Sequence, residues 1–449
     1  MRWRREPSVE PPGDGSLLAL ASLALVAGAV SGLIVAIFRM CLAEADRGRN
    51  ELIAYTHPQP LIGFVVVVAV SAGAVAAAAW LVRRFSPYAS GSGIPQVEAA
   101  LTGDLPPAPP RLLPVKFLGG LLAIGAGMAL GREGPSVQMG AVVADLVGKW
   151  FRRSWPDSRT LLAAGAGAGL AVAFNAPIAG AVFVLEELVR RLETRIAIAA
   201  LGASSSAILI SRLFLGDAPD FQVTVSVHAA AATGPLPYAA AAVWPFYLAL
   251  GVVAGIAASL YNRALLGAIS LAAWFDQHCP VEIQAAAIGA LVGTIGWFAP
   301  GLIGGGDDIT QQLLAGGSAI AAVPLAFVVR FGLGAACYAA RTPGGLFAPL
   351  LVLGAQLGLL CGALGQAAFP GLGIEPQAFA VVAMAAVFSG VVQAPVTGIV
   401  LVAEMTAAFT TLLPMLAACF AAMVTVNLLG AIPIYDSLRE RVATTARSP

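Results

Sequence analysis

The 449-residue chain is 59% hydrophobic and 11% charged, with a formal net charge of +1 and a mean hydropathy of +0.85. Soluble domains carry charge on about a quarter of their residues, so this composition excludes a soluble globular protein. A near-neutral chain without a basic tract also excludes nucleic acid as a partner.

Apolar stretches of about 20 residues, the length that crosses a bilayer, recur from Leu17–Phe38 to Met415–Leu429. Backbone facing lipid must satisfy its own hydrogen bonds, which predicts an all-α integral membrane protein with the bilayer as its surroundings. Residues 1–16 read as a tail carrying Arg2, Arg4 and Arg5. The apolar run that follows is too long for the core of a signal peptide. Residues 17–215 form a first transmembrane repeat, in which Gly91-Ser-Gly-Ile-Pro95, Gly131-Arg-Glu-Gly-Pro135 and Asn175-Ala-Pro177 interrupt the apolar runs. A linker at 216–237 has Asp217 and Asp220 but no Lys or Arg. Residues 238–440 form a second repeat interrupted at Pro343-Gly-Gly-Leu-Phe-Ala-Pro349 and Gln393-Ala-Pro395, and 441–449 a second tail.

The halves repeat. Gly131–Gly140 and Gly345–Gly354 both read Gly-x-x-x-Pro-x-x-x-x-Gly, an offset of 214. Ala176-Pro177 through Glu186 matches Ala394-Pro395 through Glu404 at 218, and Gly91-Ser92-Gly93 has a weaker echo in Gly304-Gly305-Gly306 at 213. Three landmarks in one order at nearly constant spacing indicate duplication. Basic residues at both ends (Arg2, Arg4 and Arg5; Arg439, Arg441 and Arg447) predict cytoplasmic termini, and the acidic linker predicts an external crossing. Each half then spans the membrane an odd number of times, which inverts one relative to the other, as in transporters with a shared midplane site.

Each Gly/Pro cluster precedes a further apolar run and so predicts a helix start. Read singly, such a cluster is an ordinary kink; five, three of them repeated, point to discontinuous helices whose N-termini lie inside the membrane. A helix N-terminus offers unpaired N–H donors and about half a positive charge, which favours an anion. Ser92 and Tyr435 add hydroxyls.

Ionisable groups at membrane depth are functional suspects. Glu133 lies in an apolar run at a predicted helix start, where its carboxylate either competes with an anion or simply caps the helix. Glu187 follows the apolar segment Ile178–Leu185 and precedes Arg190, Arg191 and Arg195. It reads as a proton relay, or else Glu186 and Glu187 end a helix and pair with those arginines. Glu98 and Glu404 read as structural, hydrogen-bonded to backbone at helix breaks. Arg132, Lys116 and Arg341 read as cations that raise the local potential without touching the ion. The five cysteines read as small buried residues. Neither they nor His57, His228 and His278 have metal-ligand spacing, so no metal and no cofactor is expected.

With these residues collected, the sequence resembles the CLC family of chloride channels and proton-coupled chloride transporters. Gly91–Pro95, Gly131–Pro135, Gly345–Pro349 and the Tyr435 region carry the resemblance, which spans residues 20 to 440. It implies a homodimer whose subunits each hold a pathway between two inverted repeats, with chloride and protons as the partners. Chloride would meet the hydroxyls of Ser92 and Tyr435 and the amides of Leu346 and Phe347, with the amides around Arg132–Gly134 at an outer site. Glu133 matches the gating glutamate. Glu187 matches the internal proton glutamate, which channel members usually lack, and this implies an exchanger of the bacterial inner-membrane type rather than a passive channel. Ser92 and Tyr435 imply chloride over nitrate or fluoride. Gln96 departs from relatives that carry an acid there. The 14 residues after Tyr435 are too few for the nucleotide-sensing domains of many eukaryotic relatives. A membrane enzyme using Glu133 as acid or base would need a nucleophile or metal set, and the sequence offers none.

Overall fold

The computed structural model describes residues 17–223, 241–317 and 319–447. The tail at 1–16 and most of the 216–237 linker lie outside them.

The described residues form seventeen helices and two isolated bridges. The first half holds α1 (Leu17–Thr56), α2 (Pro60–Phe85), α3 (Ile94–Thr102), α4 (Leu112–Gly125), α5 (Glu133–Trp150), α6 (Trp155–Phe174), α7 (Pro177–Phe183) and α8 (Thr194–Leu215). The second holds α9 (Trp244–Phe275), α10 (Val281–Phe298), α11 (Asp307–Leu314), α12 (Val323–Ala339), α13 (Phe347–Ala368), α14 (Pro376–Val392), α15 (Pro395–Thr406) and α16 (Leu412–Leu428). A last helix, α17 (Ile434–Arg447), has no counterpart. Among the described residues, eight helical segments are long and apolar enough to cross a membrane.

The eight helices of one half recur in order in the other. The starts of α3 and α11 are 213 residues apart, those of α5 and α13 are 214 apart, and those of α7 and α15 and of α8 and α16 are 218 apart. All five Gly/Pro clusters sit at helix starts, namely those of α3, α5, α7, α13 and α15. α5 packs on α6 and α13 on α14. Every residue from Leu161 to Phe174 and from Ala378 to Val392 is buried, as expected for helices that are apolar all round. Close approach fixes the landmark glycines. A Cβ on Gly140 would lie 2.2 Å from the Gly165 carbonyl oxygen, and one on Gly354 would lie 2.6 Å from Met384 Cα, the small-residue packing of membrane helices.

Equivalent residues meet each other across the halves. The Gly131 N–H donates to the Gly345 carbonyl at 2.9 Å, and the Gly345 N–H donates back to Gly131 at 2.7 Å. α7 packs on α15, and each half caps the other's helix there. The Glu404 carboxylate accepts from Ile178 N (3.1 Å) and Ala179 N (2.7 Å) at the start of α7. Glu186 accepts from Val396 N (3.0 Å), Thr397 N (2.6 Å) and Thr397 Oγ1 (2.7 Å) at the start of α15. Reciprocal contacts between equivalent residues are the mark of a twofold relation, and here they relate two inverted repeats of discontinuous helices. Glu404 thus has the backbone bonds expected of it, whereas Glu186 caps a helix of the other half instead of pairing with the arginines after it. Removing a charged acceptor from helix amides costs about 2 kcal/mol. Glu404→Ala and Glu186→Ala are each expected to lower the thermal midpoint in detergent by similar amounts, and an unshifted midpoint in either would remove that cap from the fold's energetics.

Of the five cysteines, Cys337 and Cys419 are buried, while Cys41, Cys279 and Cys361 are partly exposed; the expectation of burial holds for two.

Candidate anion pathway

Three loops converge on one point. In the first, Gly91 (φ 63°) and Gly93 (φ 89°) are left-handed, a conformation glycine adopts without strain, and they turn the chain into α3. Ser92 is buried between them, with its N–H donating to Tyr338 Oη at 3.3 Å. In the second, Gly131–Pro135 starts α5 with Arg132 at the N-cap. In the third, Gly345–Pro349 starts α13 with Leu346 at the N-cap. The first-turn amides of α13, Phe347 among them, have no preceding turn to donate to.

The fully buried Glu133 carboxylate lies on that helix start, where its Oε1 accepts from Ala348 N at 3.0 Å. The surrounding glycines make room for it. A Cβ on Gly131 would lie 2.1 Å from both Glu133 oxygens, and one on Gly345 would lie 2.6 Å from Oε1. Gly134 packs against Ser92, whose Oγ would lie 2.4 Å from a Cβ there. Tyr435, at the start of α17, is fully buried, its ring 5.9 Å from that of Phe347. The Phe347 ring is also packed by Phe174, Phe183 and Phe388. Among the described residues, the Ser92 and Tyr435 hydroxyls and Glu133 Oε2 find no hydrogen-bond partner. Ser92, Glu133, Gly134, Leu346, Phe347 and Tyr435 are therefore brought together.

Arg132 contributes backbone only. Its guanidinium turns away to Ala173 O (2.9 Å), Asp307 (2.6 Å) and Asp220 (3.1 Å). Asp220 also holds Arg39 at 2.9 Å. Arg341 is likewise paired, with Asp276 at 2.5 Å. Of the three cations expected to raise the potential, two are neutralised by carboxylates far away in sequence. Of the three, only Lys116 has no carboxylate partner among the described residues. Fully buried, its Nζ donates to Ala89 O (3.1 Å) and Gly91 O (2.8 Å).

Cavities approach from two sides. One of about 840 Å³ reaches Gly131, Arg132 and Ala348 and is lined by Arg39, Arg49 and Gly304–Asp307. Another of about 890 Å³ reaches Ser90, Gly91 and Tyr338 and is lined by Gln96, Arg341 and Arg441.

Glu187 lies in a π-helical turn, Val184–Leu188, a local irregularity frequent at functional sites. Buried, it meets Arg190 at 3.4 Å, and Arg190 pairs in turn with Asp436 at 2.9 Å. Glu98 stands beside Glu187 in this cluster, and neither of its carboxylate oxygens meets a backbone donor. That corrects its expected structural role at a helix break. Asp436 directly follows Tyr435, and that adjacency is the sequence signal that would have found it.

A family profile described as voltage gated chloride channel matches residues 72–427. The H(+)/Cl(-) exchange transporter ClcA of Citrobacter koseri is 35% identical over 438 residues, covering 95% of this chain and 89% of that one. That of Vibrio parahaemolyticus is 35% identical over 424 residues, 93% of this chain and 89% of its own. The fold matches the crystal structure of a slow cyanobacterial Cl-/H+ antiporter with a TM-score of 0.88 at 33% identity, covering 95% of this chain and 98% of that one.

Proposed function

The chain belongs to the CLC family of chloride channels and transporters, and from that premise we propose that it exchanges chloride for protons, with Glu133 as the titrating gate. The observation that carries this reading is the Glu133 carboxylate seated on the Ala348 amide at the start of α13, where an anion would sit. An ionised carboxylate there competes with chloride for the same helix-end charge. Once protonated it gains less from that charge and leaves, and chloride takes its place against the hydroxyls of Ser92 and Tyr435 and the amides of Leu346 and Phe347. The amides around Arg132–Gly134 supply the outer site. No full cation touches the ion, because Arg132 is turned away and Lys116 faces carbonyls. Weak partial charges hold a halide and also release it.

Protons reach the gate from Glu187, beside Glu98 on the Arg190–Asp436 side, which this reading makes cytoplasmic. Residues 17–215 and 238–440 are the two transmembrane repeats, 216–237 the external linker, and 1–16 and 441–449 cytoplasmic tails in a bacterial inner membrane. The Ser92 and Tyr435 hydroxyls, buried where the loops converge, favour chloride as the transported anion. A homodimer completes the assembly. At the starts of α7 and α15, Ile178 and Val396 are over half exposed beside the partly buried carboxylates Glu404 and Glu186. Lipid against those carboxylates would be costly, and a second copy of the chain covers them without that cost.

The purified protein in liposomes, given a chloride gradient, is expected to drive protons uphill. Chloride flux without proton movement would make it a passive channel of the same fold and overturn the exchanger reading.

A further inference from the structure

Lys116 and Arg330 are 214 residues apart, the offset that relates Gly131 to Gly345. Both are buried, and neither has a carboxylate partner among the described residues. Burying a charge without a counter-ion is costly, so such a pair recurring in both halves calls for a reason. Each holds carbonyls of the glycine loop before a short helix. Lys116 takes Ala89 O and Gly91 O ahead of α3. The Arg330 guanidinium takes Gly304 O (2.6 Å), Gly305 O (2.9 Å) and Leu302 O (3.3 Å) ahead of α11. The two loops share their turn, with Gly91 and Gly304 at φ 63° and 80°, and Gly93 and Gly306 at φ 89° and 104°.

They deliver different residues. The first loop presents the Ser92 hydroxyl. The second passes directly into Asp307, whose carboxylate accepts from Arg132 at 2.6 Å, and Arg132 immediately precedes Glu133. The loop also has no room to drift towards α13, since a Cβ on Gly306 would lie 2.2 Å from Val352 Cγ2 and 2.8 Å from Arg330 Nη2. We infer that Arg330 is a positioning residue for the gate: by pinning the Gly304–Gly306 loop it fixes Asp307, which holds Arg132 and so sets where Glu133 can go. Lys116 is its repeat-related counterpart for Ser92. The inference rests on Glu133 being the gate.

Full-length Arg330→Met and Arg330→Lys are compared with the unmodified protein in liposomes, reading protons moved per chloride. Loosening the gate lets chloride pass without a proton, so Arg330→Met is expected to raise chloride relative to protons by about fivefold, the scale of one ordinary hydrogen bond. Arg330→Lys, which keeps a cation able to take two carbonyls as Lys116 does, is expected to restore most of the ratio. An unchanged ratio in Arg330→Met, including an equal fall of both fluxes, overturns the inference. Where Arg330→Met yields no folded protein, Asp307→Asn decides, because it cuts the same chain of contacts at a partly exposed residue; an unchanged ratio there also overturns it. An unmodified protein that moves no protons defeats the exchanger reading, and the inference then stands or falls on chloride flux alone. Arg330→Met must in that case change the flux about fivefold and Arg330→Lys restore it.

Discussion

In liposomes, Glu133→Ala is expected to keep chloride flux within about twofold of the unmodified protein while proton movement falls by roughly a hundredfold, the scale of losing a positioned proton-transfer group. The reason is local. The substitution removes the carboxylate that occupies the start of α13 but leaves the Ala348 amide, the Leu346 and Phe347 amides and both hydroxyls where they are. The anion site then stays open without a proton having to be bound first, so chloride flux should also lose its dependence on pH. The fold should tolerate the change, since Gly131 and Gly345 already give up their side chains to make room for this carboxylate. Glu133→Gln tests the same idea from the other side. A neutral, isosteric group mimics the protonated gate, and it too should pass chloride without protons. Coupling that survives in either variant would take Glu133 out of the gate and leave it a helix cap.

The parts of this site that announce themselves in sequence are those whose chemistry is local. A charged residue inside an apolar run, flanked by two glycines and a proline, marks Glu133. Repetition of that pattern marks Leu346 and Phe347, because a helix start is written in a few adjacent residues. What stayed hidden depends on contacts made across the halves. Glu186 and Thr397 are 211 positions apart, and Glu404 and Ile178 are 226 apart. Glu404 reads as a backbone-bonded acid in its own segment, but nothing there shows that the backbone belongs to the other half. The same holds for Arg132. Its charge reads as an attraction for anions until the fold brings Asp220 from the linker and Asp307 from the second half against it. Glu98 departs from its expected backbone bonding for a related reason. A carboxylate in a short apolar helix suggests a backbone partner nearby, but its neighbour is Glu187, on a π-helical turn that has no sequence signature. Burial alone does not tell Glu98 from Glu187, since both are nearly inaccessible. The contact with Arg190, made by Glu187 alone, is what distinguishes them.

That distinction carries the second large effect, at the other end of the proton route. Glu187→Val is expected to leave chloride flux within about twofold of the unmodified protein and to cut proton movement by roughly a hundredfold. Chloride is spared because Glu187 contributes nothing to the convergence of the three loops, and because the cluster around it does not depend on it. Arg190 keeps its 2.9 Å pair with Asp436, which anchors α17 directly beside Tyr435. Protons are lost because the buried cluster then retains Glu98 but not the carboxylate that lies against Arg190. Adding Glu187→Val to Glu133→Ala should change nothing further, since a relay has no function once its terminus is gone; this non-additivity is what one linked route requires. Proton pumping at the unmodified rate in a folded Glu187→Val protein would refute the relay. The chain's proton path would then have to enter through Glu98, and Glu98→Gln would become the variant that blocks it.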